Sequence, residues 1–253
     1  MSALSSWLLP LATGLLVAVF TVLLAMQWRT RRKPHQLWWT IGFGMYSAAA
    51  FLEAFMQLSD GWNPLTFRLY ALASASLVAV LAQGSLALIS RKPIWSRVYL
   101  AYNAVCFSAF AFGVATTPLV ATELANPKLS SYAALGGSAM TYPRVMSLLL
   151  TIPATFVLLG SALVSIVRFL RKSEFAYRMW ANVLIAAGTV VIASGGGMAK
   201  AGNTTLFYLT EMVAAILFFS GFLLAGTLKP GADKIRANRA ASRDAGRDSA
   251  GSE

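Results

Sequence analysis

Seven long apolar segments, with almost all the positive charge confined to every second connector, restrict this chain to a polytopic helical membrane fold. The segments run roughly 7 to 28, 37 to 58, 65 to 89, 97 to 116, 143 to 167, 178 to 194 and 205 to 228. A helix needs roughly 17 to 25 apolar residues to cross the hydrocarbon core. The sixth segment is at the lower limit and the others meet it clearly. Four basic residues follow segment one (Arg29, Arg31, Arg32, Lys33), and three fall between segments three and four (Arg91, Lys92, Arg97). Four more lie between five and six (Arg168, Arg171, Lys172, Arg178), and six follow segment seven, from Lys229 to Arg247. Together they make 17 of the 21 basic residues. The other four, Arg68, Lys128, Arg144 and Lys200, are matched in number by Glu53, Asp60, Glu123 and Glu211, so the net charge of +12 belongs to one side. The positive-inside rule makes that side cytoplasmic, with the N-terminus outside and the C-terminus inside. An odd number of crossings requires the same arrangement.

The fold class expected is therefore all-α: a seven-helix bundle over residues 1–228 in the cell (inner) membrane, followed by a basic cytoplasmic tail over 229–253. That tail is rich in charge, Ala, Gly and Ser and nearly devoid of large apolar residues, a composition that favours disorder. With 57% hydrophobic residues and a mean hydropathy of +0.64, the chain is no soluble domain. Its pI near 10.3 reflects juxtamembrane Lys and Arg, which orient helices and meet anionic lipid, and is not a nucleic-acid signature. The partners expected are the bilayer, anionic lipid at the cytoplasmic face, and a cytoplasmic or membrane protein held by the tail.

Segment one ends in its basic cluster, whereas a secretory signal begins with one, so it reads as a retained first helix. Cys106 is the single cysteine, which excludes an intrachain disulfide and reads as a small buried apolar residue. The long connector at about 117 to 142 carries Pro118, Pro127, Gly136 and Gly137 and suits either a lid or a cap over helix ends. Gly195, Gly196 and Gly197 read as a turn between segments six and seven. Trp28, Trp38, Trp39, Trp62, Trp95 and Trp180 lie at segment ends, as an aromatic belt would. No internal repeat is evident.

Ionisable residues at membrane depth are costly and so point to sites. Glu53 and Glu211 fall roughly 7.5 and 9 Å below the outer ends of segments two and seven at helical rise. Arg68 is one turn into segment three and Arg144 begins segment five. In segment two, Gly42, Tyr46, Ala49, Glu53 and Gln57 share a small, polar stripe, with Phe43, Phe51, Leu52 and Phe55 pointing elsewhere. Comparable stripes run from Arg68 through Leu72, Ala75 or Ser76 and Ala79 to Gln83, and through Thr204, Tyr208, Glu211 and Ala215. Helices two, three and seven are thus expected to turn these faces inward, with Glu53, Gln57, Arg68, Arg144, Tyr208 and Glu211 as candidates for ligand binding or ion relay. The short connector DGWNP makes a Glu53–Arg68 pair attractive, either as a salt bridge fixing helix register or as part of an outward polar pocket.

Other chemistry lacks its residues. His35 is the lone histidine, which excludes a bis-histidine haem site. No lysine lies within segment seven to hold retinal, and there is no HExxH, GxSxG or Walker A motif. No catalytic residue, metal site or cofactor is assigned.

At RRKPHQLWWTIGF, GWNPLTFRLYALASA and YRMWANVLIAAGTVVIASGG the chain resembles a group of uncharacterised bacterial integral membrane proteins. These have a basic-Pro-His start to helix two, an FRxYY-like start to helix three and an ANxLIAxGT run in helix six. Ala71 stands where their second tyrosine falls. The resemblance implies a seven-helix bundle and transfers no activity or site residue. The leading expectation is a receptor-like, sensory or accessory protein with an outward polar pocket. A small transporter or proton-coupled carrier comes second, and a subunit of a larger membrane complex third.

Overall fold

The computed structural model describes residues 4–59, 61–90, 92–125, 134–136, 141–170, 176–200 and 203–227. The expected tail at 229–253 lies outside the described residues. Among the described residues the chain is all-helical: α1 (Leu4–Arg31), α2 (Pro34–Leu58), α3 (Pro64–Ile89), α4 (Pro93–Thr116), a single turn α5 (Ala121–Leu124), α6 (Tyr142–Leu170), α7 (Ala176–Lys200) and α8 (Thr204–Thr227). The only extended pairing described is an isolated bridge between Leu119 and Leu135.

Proline sets three of the helix starts. Pro34, Pro64 and Pro93 each open a helix behind an extended residue, Lys33, Asn63 or Lys92. Proline's fixed φ suits the first helical position, where its missing N–H costs nothing. At α3 the Asn63 side chain also accepts a hydrogen bond from the Leu65 N–H at 2.9 Å, which caps the first turn.

Six of these helices, over Trp7–Arg31, Pro34–Leu58, Pro64–Ile89, Pro93–Thr116, Tyr142–Val167 and Thr204–Leu224, are long and apolar enough to cross a membrane. The chain is a multi-pass membrane protein. Its outward side chains fit that environment: Leu15, Val22, Val105, Phe112 and Phe156 are all more than half exposed, as lipid-facing residues are.

α1, α2, α3, α6, α7 and α8 pack in that order as a closed ring, α8 returning to α1, and α4 lies outside against α3 and α6. The ring thus joins a first triplet, α1 to α3, to a second, α6 to α8. Aromatic rings fill its interior near the basic end, where Phe20 meets Phe43 at 4.4 Å and Phe222 at 4.8 Å, and Phe43 meets Phe218 at 5.6 Å. Phe43 is therefore buried, not turned away as the stripe in segment two suggested. A helix with ring neighbours on two sides and the interior on a third buries more than one stripe.

The sixth segment also differs from its expected bounds. The Gly195 to Gly197 run is helical, and α7 continues to Lys200, which closes the helix instead of sitting in a loop. At Gly195 the close approach of α8 favours glycine, because a Cβ there would strike the Thr210 hydroxyl.

Trp62 departs from the expected aromatic belt. It is 6% exposed, its ring lying on Tyr70 at 4.7 Å and against Phe67 at 5.6 Å. Its backbone N–H donates to the Leu124 carbonyl at 2.8 Å, tying the α2–α3 connector to α5. Gly61 makes this approach workable, because its φ of +150° and the Leu124 carbonyl, 3.2 Å from where a Cβ would stand, both favour glycine. The described part of the 117 to 142 connector therefore packs down on helix ends, with Ala134 and Leu135 fully buried.

Candidate functional site

The polar stripe of α2 turns into the ring as its spacing requires: Gly42, Tyr46, Ala49 and Glu53 are buried and Gln57 is half-buried. α8 presents Tyr208 and Glu211 to the same interior. The two helices barely approach at the backbone, so long side chains span the space between them. The Tyr46 hydroxyl donates to the Glu211 backbone carbonyl at 2.7 Å, and the Gln57 amide donates to the Tyr208 hydroxyl at 3.0 Å.

Between these two bridges the carboxyls of Glu53 and Glu211 come together. Glu53 is 1% exposed, and both of its carboxyl oxygens are sealed without a hydrogen-bond partner. Glu211 is half-buried, but its Oε2 is sealed in the same way. Tyr70 of α3 is a further polar neighbour of Glu53. Tyr46 and Tyr208 lie within electrostatic reach of both acids. At helical rise Glu53 is roughly 7.5 Å from the end of α2 and Glu211 roughly 10.5 Å from the start of α8, so the pair sits well below the surface.

Of the six sequence candidates, Glu53, Gln57, Tyr208 and Glu211 form one cluster. Arg68 is elsewhere. Its guanidinium donates to the carbonyl of Val114 and, at 3.2 Å, to that of Thr117, both at the C-terminal end of α4. Cations favour that position because the last carbonyls of a helix lack intrahelical partners. The Glu53–Arg68 pair is thus not formed, and the reason is angular. Residues 68 and 70 are two apart on α3, which turns them to nearly opposite faces, so Tyr70 meets Glu53 while Arg68 meets α4. Arg144 belongs to the first turn of α6, which packs on α3, α4 and α7 and not on the α2–α8 face.

Tyr46 and Tyr70 join the cluster without having been selected as candidates. Tyr46 lies on the α2 stripe and could have been found there. Tyr70 could not be reached by counting helical steps from Arg68.

A cavity of about 760 Å³ lies at the same end of the molecule, between the α2–α3 connector and α5. Phe55, Ser59, Trp62, Asn63, Thr66 and Leu124 line it with others, and among the described residues none of its lining is charged. Trp62 stands between this cavity and Tyr70. Among the described residues no three His, Cys, Asp or Glu side chains are grouped as a metal site would need. No protein-family model, curated protein or solved structure matches the chain, so the chemistry of the cluster rests on its own residues.

Proposed function

We propose that this is a seven-span protein of the inner membrane, N-terminus outside, acting as a small proton-coupled carrier whose proton site is the Glu53–Glu211 pair. One observation carries the reading: two carboxyls come together in the ring interior, Glu53 with both oxygens sealed and Glu211 with one, and Arg68 is committed to α4 instead of to them. Two adjacent carboxylates in a low-dielectric interior repel strongly, and one shared proton removes the conflict. Glu53 belongs to the first helix triplet and Glu211 to the second. Movement of one triplet against the other would part the carboxyls and release the proton, the coupling that alternating access needs.

The exposed Arg29, Arg31, Arg32, Lys33, Lys92 and Arg97 gather at the end of the helices opposite the α2–α3 connector and support a cytoplasmic assignment for that end. α7 counts as the seventh span because it is 25 residues long and closes the ring between α6 and α8. A receptor-like role is the second reading, favoured by the cavity at the connector end.

Two measurements test these assignments. In proteoliposomes with an imposed pH gradient, substrate-library uptake should require the gradient and fall more than tenfold in Glu53→Gln. Gradient-independent ligand binding without uptake would favour the receptor. In intact cells, Lys33→Cys should resist a membrane-impermeant thiol reagent, and Asn63→Cys should react. The reverse pattern would invert the topology.

A further inference from the structure

The cavity under α5 and the acid pair are linked through α3. Helix α2 contributes Phe55 and Ser59 to the cavity wall, but Phe55 is two residues from Glu53 and so turned to the nearly opposite face of the helix, which leaves α2 itself between them. On the α3 side the sequence of contacts is continuous. The Trp62 indole lines the cavity and lies over the Tyr70 ring at 4.7 Å with an interplanar angle of 32°, and Tyr70 in turn neighbours the Glu53 carboxyl.

The indole is held there from several directions. Phe67 packs on it edgewise at 5.6 Å, and its backbone is bonded to Leu124 of α5. Placing an aromatic ring of this size inward departs from the usual place of a tryptophan at a helix end, at the membrane interface. The cavity itself suits water and small uncharged polar solutes: Ser59, Asn63 and Thr66 supply hydrogen-bonding groups, and its volume of about 760 Å³ exceeds what a few waters need.

We infer that this cavity is the vestibule of the acid pair, admitting water and small polar solutes, and that the Trp62 indole is the plug separating it from Glu53. The inference rests on the proposed role of the pair for its purpose, but not for its test. Trp62 is a positioning residue here, acting through Tyr70 on access to the carboxyls.

The test measures access directly. In a Cys106→Ser background, Glu53→Cys is reacted with a small membrane-impermeant thiosulfonate, using purified protein in nanodiscs. With Trp62 present the reaction should be slow; with Trp62→Ala it should accelerate at least tenfold, and with Trp62→Phe by an intermediate factor. Cys106 itself, in an otherwise unaltered chain, serves as a buried thiol whose rate should not change with Trp62→Ala. An unchanged Glu53→Cys rate in both Trp62 variants would overturn the plug, as would fast labelling before Trp62 is altered. If Trp62→Ala fails to remain monodisperse, the Trp62→Phe rate decides alone. Labelling requires no transport, so loss of the carrier reading in flux measurements leaves this result standing, and the converse holds as well.

Discussion

Glu211→Gln should leave the protein at least as heat-stable as the parent while reducing proton-coupled uptake by more than tenfold. The two halves of that expectation have one cause. A carboxyl with one oxygen sealed beside another carboxyl contributes repulsion and unmet hydrogen-bonding capacity, both of which destabilise the fold. The amide has the same shape, carries no charge, and can donate to the remaining carboxylate. Stability is therefore retained or gained, and only the shared proton is lost. Glu53→Gln should behave alike. Had Glu53 been paired with Arg68, the outcome would be opposite, because breaking a buried ion pair leaves a stranded charge and costs about 3 to 5 kcal/mol. The double variant should transport no less than either single one, since one proton shared between two groups is lost with either. Thermal melts and uptake measured on the same preparations decide the matter. A drop in stability of about 3 kcal/mol in either single variant would show the pair to be structural.

The depth and the helix faces of this site were legible in the sequence, but its partners were not. Charged residues are so expensive in a bilayer that Glu53 and Glu211 stood out at once, and helical periodicity put Tyr46, Glu53 and Gln57 on one stripe. Spacing within a helix cannot report which neighbouring helix that stripe meets. Arg68 has a short connector to Glu53, and proximity in the chain suggested a pair, yet the rotation of α3 sends the guanidinium to the end of α4. The pairing of α2 with α8 depends on ring closure between segments far apart in sequence, which no local pattern encodes. Trp62 was obscured for a similar reason. Its place at a segment end suggests the membrane interface, whereas contacts with Phe67, Tyr70 and the Leu124 carbonyl of α5 hold it inside.

The glycines of α7 were legible as glycines and misread as a turn, and their structural role leads to the second large effect. Ala181, Gly188 and Gly195 recur every seven residues, and opposite them α8 places Gly221, then Ala214 and Phe218, then Thr210. A Cβ on Gly221 would lie 2.8 Å from the Ala181 carbonyl oxygen, and one on Gly188 would lie 3.3 Å from that of Ala214. Backbone cannot yield as a side-chain tip can. Helix association in a bilayer depends on such close approach, since lipid offers no hydrophobic drive between helices. α7 packs far more extensively on α8 than on α6, so its place in the ring rests on this seam. Gly221→Leu should accordingly wedge α7 from α8 and cost on the order of 3 kcal/mol, seen as a lowered melting temperature in detergent. Gly160 of α6 supplies the control, because a Cβ there meets nothing within 4 Å. Gly160→Leu should change stability by less than about 0.5 kcal/mol or raise it slightly. Equal effects at the two positions would mean that the α7–α8 seam does not hold the ring together. A loss confined to Gly221 would identify α7 as a span retained by packing more than by its own hydrophobicity.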